Sequence, residues 1–166
     1  YNGGTVNLTP GTYCGWVNFN SGTNVNLAPG LYVIKNGGWN VNGGTWTGND
    51  VTFYFADTSK IQFNSGMNTT LSAPTSSTYK GILFFEAPNL SKSQFIFNNA
   101  NGNNMDGLIW LPSREMTFNA KSLLQSDSMT MVVNRLILNN TGWNLTPDTS
   151  VAVASGGSLS HVRLIK

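Results

Sequence analysis

A short phrase of alternating apolar and polar residues, always closed by Asn, recurs along the whole chain. It reads Val-Asn-Phe-Asn at 17–20, Trp-Asn-Val-Asn at 39–42 and Ile-Gln-Phe-Asn at 61–64, and three later copies end at positions 98, 119 and 139. Subtracting the numbers of the closing Asn residues gives intervals of 22, 22, 34, 21 and 20. The alternation indicates a β-strand, and self-similarity at this period is typical of a solenoid.

Two further extended segments lie between successive phrases. The segment before each phrase is strongly apolar, as at 30–34 and 51–55, and the segment after it is more polar, as at 23–27. Pro-Gly and Gly-Gly turns separate the segments, and no stretch has a helical period. The sequence therefore predicts a right-handed parallel β-helix with three strands per coil and about six to seven coils, in a single domain over residues 1–166.

Equivalent side chains should stack from coil to coil in such a fold. A two-sheet sandwich is the alternative architecture, but the even spacing and the lack of Asn-Gly hairpin turns disfavour it. The apolar phrase positions are expected to form two interior columns: Phe19, Val41, Phe63, Phe97, Phe118 and Leu138 in one, and Val17, Trp39, Ile61, Phe95, Met116 and Leu136 in the other. The closing residues should form a structural amide ladder at a corner with left-handed backbone: Asn20, Asn42, Asn64, Asn98, Asn119 and Asn139.

The segment before each phrase is apolar on both faces, which predicts that both faces avoid water. The inward set would be Tyr13, Tyr32, Phe53, Leu83, Ile109 and Val132. The outward set is then a candidate protein-contact stripe, formed by Val33, Tyr54, Phe84, Trp110 and Val133. Exposed apolar surface of this extent is uncommon on a monomer, so either the chain's own long loop, an upstream segment or a partner should cover it.

The 34-residue interval contains an insertion of about a dozen residues. We expect most of it within 86–94, with part in 72–80. Insertions in solenoids form loops that project from one face, often the binding face. Glu86 and Lys92 are the charged residues of this candidate projecting loop.

The low charge content and the single Cys and His residues limit which partners and sites are expected. Charged residues are only 10% of the chain, against about 25% in an ordinary domain, and the net charge of +2 comes from scattered residues, so nucleic acid is not an expected partner. Cys14 is the single cysteine and His161 the single histidine, and neither suggests a disulfide, a metal site or a cofactor. The charges near one corner of the coils (Asp57, Glu86 and Arg114 among them) are expected to be solvated.

The carboxylates therefore predict no catalytic cluster, and a non-enzymatic protein is expected. The alternative is a carbohydrate-binding or polysaccharide-cleaving β-helix, which would need carboxylates converging in a groove. A trimeric surface or phage spike is a third possibility.

Several segments, taken in order, resemble the C-terminal region of TadG-like proteins of Flp-type (tight-adherence) pilus assembly. They are Leu-Thr-Pro-Gly-Thr-Tyr-Cys-Gly at 8–15, Ala-Pro-Gly-Leu-Tyr-Val-Ile-Lys at 28–35, Leu-Ser-Ala-Pro-Thr at 71–75, Gly-Ile-Leu-Phe-Phe-Glu at 81–86 and Leu-Ile-Trp-Leu-Pro at 108–112, with a closing strand at 162–165. The resemblance implies a membrane anchor upstream of this chain, a location in the bacterial periplasm or at the cell surface, and a protein partner in the cell envelope or pilus machinery. A surface polysaccharide is a further candidate partner.

Overall fold

The structure, a computed structural model, describes residues 1–64, 66–98, 102–119 and 122–147. Within these ranges no helix is present, and hence none that is long and apolar enough to cross a bilayer. The strands are β1 (Asn2–Leu8), β2 (Gly11–Leu27), β3 (Gly30–Val41), β4 (Gly44–Gly48), β5 (Val51–Phe55), β6 (Lys60–Phe63), β7 (Met67–Ser72), β8 (Ile82–Glu86), β9 (Ser93–Asn98), β10 (Asn103–Asn119), β11 (Leu123–Asn139) and β12 (Gly142–Pro147).

The described strands pair in parallel, each with its equivalent one coil away, and they form three faces. The apolar sheet contains 11–14, 30–34, 51–55, 82–86, 107–111 and 129–133. The Asn sheet contains the phrases, from 16–19 to 135–139. The polar sheet stacks seven segments, from β1 through β2, β4, β7, β10 and β11 to β12. The predicted parallel β-helix with three strands per coil is confirmed, with about seven turns.

The first interior column is also confirmed. Phe19 pairs in register with Val41, and the series continues through Phe63, Phe97 and Phe118 to Leu138. The rings of Phe63 and Phe97 stack with their centroids 4.5 Å apart, and those of Phe97 and Phe118 at 4.6 Å. The first five members are almost fully buried, while Leu138 lies in the last described coil of this sheet and is half exposed. Each buried side chain contributes roughly 2–3 kcal/mol through the hydrophobic effect.

The insertion lies mainly in a different connection from the one predicted. Nine residues (73–81) separate β7 from β8, whereas two (49–50) separate β4 from β5 one coil earlier. Six residues (87–92) separate β8 from β9, against four (56–59) between β5 and β6. The placement of most of the excess in 86–94 is therefore wrong, because β8 extends to Glu86 and β9 already begins at Ser93. The longer loop is fixed at its base by the Thr75 N–H, which donates to Asp50 Oδ1 at 3.0 Å.

Candidate functional site

An outward-facing row of apolar side chains runs up the apolar sheet. Val33 pairs in register with Tyr54, Tyr54 with Phe85, Phe85 with Trp110, and Trp110 with Val132. The rings of Tyr54 and Phe85 lie 4.6 Å apart. Trp110 is 46% exposed, and the other four residues are half-buried. We call these five residues the apolar stripe.

Three members of the predicted stripe (Val33, Tyr54 and Trp110) are in this row, but Phe84 and Val133 are not. Phe84 is fully buried and packs edge-on against Phe53 at 5.4 Å. Leu108 pairs with Ile82 and Ile109 with Phe84, so β8 has one extra residue, Leu83, at a bulge. This bulge shifts the alternation by one and turns Phe85 outward.

At the other end of the row, the predicted orientations of Val132 and Val133 are exchanged. Val133 pairs with the buried Leu111 and packs against the core, whereas Val132 pairs with Trp110. Three consecutive apolar residues (131–133) in β11 give no alternation from which the inward set could be chosen.

The longer loop covers part of the stripe. Tyr79, in the 73–81 connection, stacks on Phe85 with ring centroids 5.7 Å apart and an interplanar angle of 30°. No such ring contact shields Trp110 among the described residues. The exposed part of the stripe is therefore centred on Trp110.

The two predicted loop residues are in opposite environments. Lys92 is exposed in the 87–92 connection, as expected. Glu86 instead ends β8 and occupies the interior column of Ile34 and Phe55, so its assignment to a projecting loop is wrong. Its side chain is 1% exposed, and its Oε2 accepts a hydrogen bond from Nε of the fully buried Arg114 at 2.7 Å. A carboxylate tolerates this position because a buried cation pairs with it.

Arg114 ties together three successive coils at this corner. Besides the bond to Glu86, its Nη1 donates to the Thr58 carbonyl at 3.0 Å and its Nη2 to the Asp57 carbonyl at 2.7 Å. The guanidinium lies over the Phe55 ring, 5.8 Å from the centroid. The expectation that the charges at this corner are solvated is therefore wrong for Glu86 and Arg114.

Asp57 is a hydrogen-bond acceptor at the same corner. Its carboxylate accepts the backbone N–H groups of Asn36 and Ser59, each at 2.7 Å, and also the Ser59 hydroxyl. Partial burial on its own would raise the pKa of Asp57, but the bonds from Ser59 and Asn36 and the positive charge of Arg114 outweigh it and lower the pKa. A carboxylate held in this way is a weak proton acceptor and serves the corner structurally.

The predicted Asn ladder is present along the Asn sheet. Each closing Asn donates from Nδ2 to Oδ1 of the Asn one coil earlier, at 2.8–3.2 Å, in the order Asn139, Asn119, Asn98, Asn64, Asn42 and Asn20. None of these six residues has a positive φ, so the expected left-handed backbone is wrong. Each of these Asn residues after Asn20 either ends its strand or directly follows it, and nearby glycines such as Gly22 and Gly43 adopt the positive φ values instead.

The described part of the chain contains no group of three His, Cys, Asp or Glu residues that could hold a metal ion. His161 lies outside the described residues, and Cys14 is exposed. No family model, curated protein or solved structure matches this chain. The apolar stripe is accordingly the feature from which a function is argued.

Proposed function

We propose that this chain is a non-enzymatic structural module of the bacterial cell envelope that presents the apolar stripe to a protein partner. Its setting is the periplasm or cell surface, within a TadG-like protein of pilus assembly, as the sequence resemblance implies. The observation that carries the proposal is the outward row Val33, Tyr54, Phe85, Trp110 and Val132 on a regular, continuously hydrogen-bonded scaffold.

The composition of the stripe supports protein contact. Trp and Tyr are enriched among the residues that dominate the free energy of protein association, and charged residues are depleted at interface centres. The 46% exposed Trp110 presents a large apolar ring, while the tilted rings of Tyr54 and Phe85 pack against one another. A partner would bury a surface that is already ordered, which reduces the entropic cost of association.

The structural use of the carboxylates supports a non-enzymatic role. Glu86 accepts the Ser113 N–H at 2.6 Å in addition to its bond from Arg114. Asp106 Oδ1 accepts the Ser126 hydroxyl at 2.8 Å and the backbone N–H groups of residues 127 and 128 at 2.8 and 3.1 Å. These carboxylates stabilise corners of the coil and do not converge on a groove, as acid–base catalysis of glycoside cleavage would require.

The test uses a bacterium that produces this protein and assembles Flp-type pili. The double substitution Tyr54→Ser and Trp110→Ser should abolish pilus assembly while the amount of protein and its circular dichroism spectrum stay unchanged. The matched control is Trp16→Ser, because Trp16 is 53% exposed but lies on the Asn sheet, outside the stripe. Normal piliation in the double variant, or in a strain lacking the protein, would contradict the proposal. If the protein instead forms a homotrimer that the stripe substitutions dissociate, the partner of the stripe is another copy of this chain.

A further inference from the structure

A cleft of about 330 Å³ lies beside the exposed end of the apolar stripe, between the 87–92 connection and the corner of β10. Pro88 and Leu90 line it from the connection, and Trp110 and Pro112 line it from β10. Its volume is at the lower end of the range for sites that take small ligands. The cleft could therefore receive one ring of a larger molecule.

The aromatic part of the lining is a single flat ring. Trp110 is the one aromatic residue among the described residues that line the cleft. A pyranose ring has an apolar face of C–H groups and a polar rim of hydroxyls, so one aromatic ring bordered by polar groups is complementary to it. Grooves for proline-rich peptides are instead lined by several aromatic residues. The lining favours a saccharide over a peptide.

The polar part of the lining supplies donors and acceptors suited to a sugar rim. Asn89 and Asn134 each carry an amide that both donates and accepts. Ser113 also lines the cleft, and its buried Oγ makes no hydrogen bond with the described residues. Because this oxygen is not accessible from the cleft, the two amides are the polar groups that a sugar hydroxyl can reach.

The charge of the cleft favours an anionic sugar. Lys92 is exposed at the lining and forms no ion pair with a carboxylate among the described residues. The one carboxylate in the lining, Glu86, is already paired with Arg114. An approaching carboxylate would meet an unpaired ammonium group, which binds it through charge-assisted hydrogen bonds.

We propose that this cleft binds a uronate residue of an acidic polysaccharide. The ring packs on Trp110, the carboxylate pairs with Lys92, and the hydroxyls bond to the amides of Asn89 and Asn134. This function goes beyond the protein contact proposed above, because the site is built mainly from residues outside the stripe and shares only Trp110 with it.

The test is calorimetric titration of the chain with trigalacturonate, with maltotriose as the neutral probe. Lys92→Gln should weaken trigalacturonate binding by about three- to fivefold, because the ion pair of an exposed lysine is partly screened by solvent. Trp110→Ala should weaken it by about the same factor or more. Two controls should bind as the parent does: Lys80→Gln, which removes an exposed lysine of the other loop, and Tyr54→Ser, which alters the stripe away from the cleft.

Three results would overturn the proposal. The first is the absence of a heat of binding with trigalacturonate at about 10 mM, a concentration high enough to reveal millimolar affinity. The second is an equal loss with Lys80→Gln and Lys92→Gln, which would indicate general attraction by the net charge. The third is binding of a proline-rich peptide, but not of trigalacturonate, that Trp110→Ala abolishes. Because Tyr54→Ser alters only the stripe, a failure of sugar binding and a failure of protein contact are distinguishable.

Discussion

The buried ion pair between Glu86 and Arg114 gives the sharpest test of the folded core. Glu86→Leu places an apolar side chain where the equivalent residues of neighbouring coils are apolar, but it leaves the buried Arg114 guanidinium and the Ser113 N–H without their acceptor. Arg114→Met leaves the buried carboxylate without its cation and removes the donors to the Asp57 and Thr58 carbonyls. Removing one partner of a buried pair destabilises a protein by about 3–5 kcal/mol.

The double variant Glu86→Leu with Arg114→Met separates the pair from its surroundings. If each single substitution costs about 3–5 kcal/mol, independent effects would sum to roughly 6–10 kcal/mol, a large part of the stability of a typical domain. The double variant leaves no buried charge, and only the Ser113 N–H and the two carbonyls lose partners. Each such group costs about 1–3 kcal/mol where it is fully buried and less where water reaches it. We therefore expect the double variant to be more stable than that sum by at least about 2 kcal/mol.

The assay is urea unfolding, followed by tryptophan fluorescence and by far-ultraviolet circular dichroism. Free energies are taken only where the two transitions coincide, which is the criterion for two-state unfolding. Lys80→Met is the control: Lys80 is exposed in the 73–81 loop, so its substitution should change the free energy of unfolding by less than about 0.5 kcal/mol. Strict additivity of the two core substitutions, or a cost below about 1 kcal/mol for either one, would refute the reasoning.

Three further predictions concern other parts of the coil. Asn64→Ala should lower the free energy of unfolding by about 2 kcal/mol, because it removes two ladder hydrogen bonds of about 1 kcal/mol each; a change below about 0.5 kcal/mol in urea unfolding would contradict this. Gly44→Ala should lower the melting temperature far more than Gly15→Ala. Both positions have positive φ, but a Cβ at Gly44 would lie 2.0 Å from the Thr23 carbonyl oxygen, whereas one at Gly15 meets nothing within 4 Å. Equal melting temperatures would argue against close approach of the coils at Gly44. Burial and the neighbouring Tyr13 raise the pKa of Tyr32 from 10.0 to about 12. The contribution of Tyr32 to the free energy of unfolding is therefore complete below pH 10 and is lost as the pH rises towards 12. In urea titrations the stability advantage of the parent over Tyr32→Phe should shrink across that window, and a constant difference would count against the assignment.

The repeat could be predicted from the sequence because its signal is redundant. Each phrase alternates apolar and polar residues and is closed by Asn, which places Phe19, Phe63 and Phe118 in one column whatever the length of the loops. The ladder followed from the same regularity. Its left-handed backbone did not, because Asn is common both in turns and in amide stacks, and only the structure shows that nearby glycines take the positive φ values.

The apolar sheet could not be oriented in the same way. Its strands are apolar at nearly every position, and period-two reasoning needs polar residues to distinguish the faces. The bulge at Leu83 then reversed Phe84 and Phe85, which are chemically identical. The burial of Glu86 was missed for a related reason, since its partner Arg114 lies 28 residues away and the pairing depends on the register between coils.

The amide ladder has a direction. In every step from Asn20 to Asn139 the later residue donates and the earlier one accepts, so the side-chain dipoles are aligned along the axis of the rod and polarise one another. The two ends of the amide ladder consequently differ: Asn139 presents an acceptor oxygen to any residue that stacks on it, and the opposite end of the ladder presents N–H groups. Any added rung must match that polarity, so the column can be extended head to tail but not head to head.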